Sequence, residues 1–347
     1  MVLNGGDDSR EPVAEATLAA RAAWLYHAGG LTQAEVGARL GIAPAKAHRL
    51  IARAARDGLV RVYVEGPHAG CLDLERRLAD RFGLTIAQVV PDLGEDGLPL
   101  AALGPAGASF LLDVFERGTH TLIGVGHGRT LSAVVERLPR LAAPRPVRLV
   151  SILGGVPRCS GIGPFDVIHR LVEKTQAEAW LLPAPFYADD AASRAVLAAQ
   201  RPIAETLAVA QEATLFVFGV GDARSGGFLH RSGIISSADI ETLRRAGAVA
   251  EALGRFLDAR GRPVDTPLHD RVLALEPAAL AGREAVAIAG GPGKAEAIQA
   301  VLAGGFVSGL ITDELTARQL LEKPLRQGAS RPARPENCTI GRGRNKQ

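Results

Sequence analysis

Two short stretches of this chain combine residue types that bind anions. GVGHGRT (residues 124–130) and GGPGK (residues 290–294) each place glycines ahead of a cation, Arg129 in the first and Lys294 in the second. Glycines let backbone N–H groups approach a ligand closely, and a helix starting just after them adds a favourable dipole. The Thr130 hydroxyl adds a further donor. A Lys at a helix start is disfavoured by that dipole, so Lys294 points to a bound anion that offsets the cost. The first stretch is not a dinucleotide fingerprint, because Arg129 stands where GxGxxG needs glycine, and neither stretch continues as a Walker loop. Each loop alone also has a plain packing explanation; two in one domain favour a phosphate-bearing ligand. Gly154-Gly155 with Arg158, the Gly221-Asp222 pair, Arg231 and Glu251 are further candidates. Carboxylates there would accept bonds from sugar hydroxyls and guanidinium groups would hold phosphate.

The second kind of chemistry is carried by a basic helix. Residues 44–57 offer Ala45, Lys46, His48, Arg49, Arg53 and Arg56 on one side, with Ala47, Leu50, Ile51 and Ala54 on the other. Lys46 and Arg49 suit guanine edges or phosphates, and Arg53 and Arg56 suit phosphates. The plainer account is a three-helix bundle with a solvated basic face.

The elements that must position these groups follow from pattern. Glu15 to Ala28 reads as a helix stopped by Gly29-Gly30. Thr32 with Glu35 three residues later is a capping box that starts a second helix through Val36 and Leu40. Gly41 supplies a tight turn, Ile42 plugs the corner, and Pro44 opens a third helix that Gly58 ends. Residues 59–64 alternate as a wing strand would. Helix, glycine turn, helix is the DNA-reading motif, with the N-terminal residues of the last helix at base edges and Thr32 and Gln33 at the start of the supporting one.

From Leu84 onward strands and helices alternate. Predicted strands are 87–90, 121–125, 147–153, 179–182, 214–220, 285–289 and 309–311. Predicted helices are 100–117, 130–138, 165–175, 237–245, 294–303 and 313–321. Such a pattern gives an α/β fold with a doubly wound, mostly parallel sheet, which binds ligands at the carboxyl ends of its strands.

Composition agrees with two folded units. The chain has 347 residues, 47% hydrophobic and 22% charged, with only 4% aromatic, so its cores are built mainly from Ala, Val, Leu and Ile. The net charge of +3 decides little, but residues 14–66 and the tail 326–347 are basic and the long middle is slightly acidic. Cys71, Cys159 and Cys338 form no CxxC pair, which argues against a disulfide framework or a zinc site. No metal-ligand spacing or cofactor fingerprint is present. The absence of a long apolar run and of a secretory signal leads us to expect a cytoplasmic protein.

The segments GGLTQAEVGARLGIAPAKAHRLIARAARDGLV, GVGHGRTLSAVV, LLPAPF, FLHRSGIIS, EALGRFLDARGRPVD and IAGGPGKAEAIQAVLAGGFVSGLITDELTARQLL occur in this order. Through them the chain resembles the SorC/DeoR-type family of sugar-responsive bacterial transcriptional regulators. The resemblance implies a helix-turn-helix domain (14–66) of winged type and an effector domain (67–325) similar to sugar-phosphate isomerases. A disordered N-terminus (1–13) and a basic disordered tail (326–347) flank them. It implies operator DNA as partner, a homo-oligomer, and no catalysis. It also implies an effector phosphate at Gly126, His127, Gly128, Arg129, Thr130 and Lys294, with Arg231, Glu251, Arg158 and Asp166 beside the effector; Gly291 of the second glycine loop is a further candidate for effector binding. Two departures stand out: His127 replaces a Trp common in the family, and Asp222-Ala-Arg-Ser-Gly-Gly replaces a more acidic stretch. Within the family, KAHRLIARA, GEDGLPLAALGPAGASFL and GHGRTLSAVVERLPR are most similar to members governing erythritol catabolism. That similarity implies an erythritol phosphate, or a related short polyol or tetrose phosphate, as effector.

The competing reading from another class is a sugar-phosphate isomerase or deaminase carrying an accessory helical domain. It shares the phosphate loops but needs a placed general base. Asp166, Glu251 and His127 are the candidates, and they form no compact catalytic constellation in the sequence. The segment from Cys71 to Phe82 is expected to link the domains and to carry the effector's influence on DNA binding.

Overall fold

The computed structural model describes residues 10–57, 59–60, 69–141, 146–155, 167–224 and 227–323. The first three helices are α1 (Arg10–His27), α2 (Gln33–Leu40) and α3 (Pro44–Arg56). Local chemistry sets their ends. Thr32 accepts the Glu35 N–H at 3.4 Å, and the Glu35 carboxylate accepts the Thr32 N–H at 2.8 Å, completing the capping box. Gly41 takes φ 65°, the left-handed conformation the turn requires, and Pro44 opens α3. A small core of Ala19, Ala22, Ala23, Val36, Ala47, Leu50, Ile51 and Ala54 holds the three helices together. Alanines at these contacts let the helix axes come close. Leu59 and Val60 have no strand structure, and the rest of the predicted wing, 61–64, lies outside the described residues, as does Gly58.

The remaining chain builds a seven-stranded sheet of β1 (Ile86–Val90), β2 (Leu122–Val125), β3 (Arg148–Ser151), β4 (Glu178–Trp180), β5 (Leu215–Phe218), β9 (Glu284–Ile288) and β10 (Gly309–Asp313). Between β5 and β9, strands β6 (Gly221–Asp222), β7 (Ala250–Ala252) and β8 (Arg255–Leu257) form a separate antiparallel ribbon. The sheet order is β1-β10-β9-β5-β2-β3-β4, and every pairing in it is parallel. All seven predicted strands are present, with ends shifted by at most two residues.

Alternate side chains of each strand enter opposite layers, as the period of two requires. Leu122 and Phe216 join one core, Ile123 and Leu215 the other. The second layer is covered by α5 (Leu100–Arg117), α6 (Arg129–Arg137) and α7 (Val167–Thr175). On the first side lie α4 (Ala69–Phe82), α9 (Arg201–Glu212), α11 (Ser237–Arg245), α12 (Ala295–Ala303) and α13 (Glu314–Glu322), with the short α8 (Ala191–Ala198) and α10 (Phe228–Arg231) nearby.

The Cys71–Phe82 segment belongs to α4, whose buried Cys71, Leu74 and Leu78 pack into the large core, and Arg81 bonds the Leu321 carbonyl at the end of α13. Helices α8–α10 and strands β6–β8 were not predicted. α8 buries none of its residues, so it has no apolar periodicity to read, and the ribbon strands are only two or three residues long. Among the described residues, no helix is long and apolar enough to cross a membrane.

Candidate functional site

The winding of the sheet reverses between β2 and β5, which are neighbours although β3 and β4 intervene in the chain. A crevice at the carboxyl ends of strands is expected at such a point. A cavity of about 90 Å³ lies there. The turn after β2 contributes His127, Gly128, Arg129 and Thr130, the turn after β5 contributes Gly219, Val220 and Gly221, and the turn after β9 contributes Gly290 and Lys294. Glu251 and Leu253 reach in from the ribbon.

One end of the cavity is cationic. The N-terminus of α6 begins at Gly128, and no side chain caps it among the described residues. The first backbone N–H groups of a helix lack partners inside it. Burial, and then the guanidinium of Arg231, lower the pKa of Arg129. The Arg129 guanidinium beside an uncapped helix start makes an environment suited to an oxyanion.

The other end carries the Glu251 carboxylate and Lys294. Lys294 Nζ stands 3.1 Å from Asp222 Oδ2 and donates to the Val220 carbonyl at 3.0 Å. Burial pushes the Asp222 carboxyl up, but Lys294 and then Arg224 outweigh it and hold it below its usual range. Gly221 and Glu251 are register partners across β6 and β7 while Asp222 pairs with Ala250, so Glu251 lines the cavity on the Gly221 face and Asp222 stands outside the lining, reaching the site only through Lys294. Glu251 Oε1 accepts the Gly254 N–H at 2.7 Å, and the Tyr187 hydroxyl donates to the Gly254 carbonyl at 2.8 Å. Burial raises the Glu251 pKa, against the pull of the Gly254 N–H and Lys294. His127 lines the same cavity. Its Nε2 is 3.3 Å from the Gly154 carbonyl and its ring meets Phe186 edge-on at 5.2 Å. Desolvation lowers its pKa from 6.5 to about 4, so the ring is neutral near pH 7 and Nε2 carries the proton it gives to Gly154.

The structure therefore brings His127, Gly128, Arg129, Thr130, Glu251 and Lys294 into one cavity, whereas Arg231 is exposed and does not line it. Three further predicted contributions differ. Gly126 does not line the cavity, and its N–H goes to the Val217 carbonyl at 2.9 Å, extending the sheet. Gly291 does not line it either: its N–H is shared by Asp313 Oδ2 at 2.8 Å and the Thr316 hydroxyl at 2.9 Å, and Gly290 faces the cavity instead. The cation at the start of α12 is explained by Asp222, an internal anion, without invoking a ligand. Arg158 and Asp166 lie outside the described residues. Sequence reasoning missed the apolar walls Leu98, Leu153, Phe186, Phe218 and Leu253, because nothing in composition separates a pocket wall from core.

In the helix-turn-helix unit, Ala45, Lys46, His48, Arg49 and Arg56 are exposed on α3. Among the described residues Lys46 and Arg49 make no ion pair. Arg53 differs: it is tied to Glu15 of α1 at 2.6 Å and to Asp57 at 3.3 Å, so it braces the bundle. The Thr32 hydroxyl is engaged in its capping box, and Gln33 is half-buried.

Residues 67–322 match the sugar-binding domain family. Over 311 residues, 90% of this chain and 98% of the relative, the chain is 45% identical to the erythritol catabolism regulatory protein EryD of Brucella abortus (strain 2308). Over 314 residues, 89% of this chain and 94% of the relative, it is 36% identical to the transcriptional regulator LsrR of Klebsiella pneumoniae subsp. pneumoniae. The crystal structure of the full-length sorbitol operon regulator SorC from Klebsiella pneumoniae superimposes with a TM-score of 0.67 at 26% identity, covering 89% of this chain and all of that one. The chain belongs to this family of SorC/DeoR-type transcriptional regulators, in which a helix-turn-helix unit precedes a sugar-binding domain. Its relatives are regulators, which sets aside the isomerase reading.

Proposed function

We propose that this protein represses a short-polyol catabolic operon of the erythritol type and leaves its operator when a phosphorylated polyol or sugar fills the cavity. The observation that carries this reading is the polarity of the cavity. An uncapped helix start with Arg129 suits a phosphate at one end. Glu251 and Lys294 suit hydroxyl groups at the other.

In this reading residues 14–66 bind DNA, with Lys46 and Arg49 of α3 in the major groove, and residues 67–325 bind the effector. The segments 1–13 and 326–347 are accessory. The protein works as a dimer or tetramer, because one α3 offers few base-reading groups and two half-sites multiply its affinity. Effector and operator are coupled only if the effector binds the DNA-competent and incompetent states unequally. The similarity to EryD supports an erythritol phosphate as effector.

The test combines a thermal-shift panel of phosphorylated and free polyols with an operator titration. A ligand that binds only the folded state raises the melting temperature. Erythritol phosphate is expected to raise it and to weaken operator binding, and free erythritol to do neither at the same concentration. Tighter operator binding with the phosphate would reverse the repressor assignment. A monomer in sedimentation with full operator affinity would exclude the assembly.

A further inference from the structure

The hairpin joining β7 to β8 turns in two residues, Leu253 and Gly254, with Ala252 paired to Arg255. Both have positive φ, 53° at Leu253 and 74° at Gly254. Two-residue hairpins of this kind prefer Asn or Asp followed by Gly. A branched apolar side chain in the left-handed region is strained and persists when its surroundings require it. Gly254 obeys the local rule: a Cβ there would come within 2.3 Å of Val272 and 3.1 Å of Phe186. Leu253 breaks it, and its side chain is 2% exposed and lines the cavity two residues from Glu251. The Phe186 ring that flanks Gly254 also meets His127. The strained position thus sits in the cavity wall beside the carboxylate end.

We infer that Leu253 determines ligand length: its side chain closes the cavity beside Glu251 and restricts the occupant to a short-chain polyol phosphate. This rests on the proposed phosphate-polyol reading of the cavity. With phosphate at the start of α6, a longer chain would have to pass the Glu251 carboxylate and run into Leu253. The side chain that creates this stop is the reason a turn suited to Asn-Gly carries Leu-Gly.

The test measures binding of erythritol phosphate and of a hexitol phosphate, sorbitol 6-phosphate, by calorimetry to the full chain and to two variants. The parent should prefer the four-carbon ligand by at least tenfold. Leu253→Asn, which satisfies the turn and shortens the wall, should reduce that preference at least tenfold. Leu253→Met, which keeps the volume, should retain it. If Leu253→Asn does not fold, Leu253→Ala supplies the same comparison. A preference unchanged in the shortened variant overturns the role of Leu253 while leaving the cavity assignment standing. A parent that binds neither phosphate overturns the cavity assignment itself, and the length selection with it.

Discussion

Lys294, at the start of α12, and Asp222, on the antiparallel ribbon, form an ion pair at 3.1 Å with side chains only 12% and 13% exposed. The pair joins the main sheet's last crossover to the ribbon that carries Glu251. Removing one member leaves the other charge desolvated, which is more costly than removing both. Lys294→Met is expected to destabilise the protein by about 2–3 kcal/mol, Arg224 at 3.5 Å from Asp222 offsetting part of the loss. Adding Asp222→Asn should recover much of it. Urea denaturation of both single variants and the double variant closes the cycle, and strictly additive effects would refute the coupling.

His127 gives the fold a pH dependence of known sign. Its folded-state pKa of about 4 lies below the 6.5 of the free side chain. Above pH 6.5 both states are neutral and the contribution is fully present. As pH falls from 6.5 toward 4 the unfolded chain gains a proton that the folded one refuses, and stability drops by up to about 3 kcal/mol. His127→Gln should flatten the slope in that window. Unfolding curves at pH 7 and pH 4.5 measure it, and an equal slope in both proteins would contradict the desolvated ring.

On DNA, Arg49→Ala should cost on the order of 1–3 kcal/mol at the operator and little on random sequence, as expected for a base-reading side chain. Arg56→Ala should weaken both alike and lower the salt dependence. Titrations on operator and random DNA at fixed salt separate them. Operator binding by Arg49→Ala at parental strength would exclude that residue from base reading.

The loop before Lys294 is held by a buried carboxylate. Asp313 accepts the Gly291 N–H and the Thr316 hydroxyl, the latter at 2.6 Å, and a Cβ on Gly290 would lie 2.0 Å from Asp313 Oδ2. Gly290→Ala should therefore displace the loop, lowering stability by about 1–3 kcal/mol and weakening the effector's thermal shift. A variant with parental melting temperature and parental ligand response would show that the loop tolerates the methyl group.

Features written into neighbouring residues were legible in the sequence. Thr32 with Glu35, Gly41 and Pro44 specify their turns locally, and apolar runs such as Leu215–Phe218 announce buried strands. The His127–Thr130 turn, Glu251 and Lys294 were legible because glycines and charges at strand ends are unusual. What escaped were relationships between distant segments. The side chain of Lys294 implied an anion, but its type cannot tell a ligand from Asp222, 72 residues earlier. Gly291 looked available until Asp313 and Thr316 claimed its N–H. Phe186 and Leu253 look like any core residue. Arg53 matched its neighbours on α3, and only the packing of α1 brings Glu15 to it.

The pairing of β1 with β10 bears on how the chain is made. Thr85, just before β1, bonds to Ser308, 223 residues later. The edge strand of the sheet therefore has no partner until almost the whole sugar-binding domain has left the ribosome, whereas α1–α3 need only contacts among themselves. Chains emerge N-terminus first, and long-range pairings form late. During synthesis the helix-turn-helix unit precedes a complete sugar-binding domain, so a ribosome-bound chain carries a formed α3 before it carries a finished cavity. In that interval the unpaired apolar edge at β1 is the surface a chaperone would have to shield.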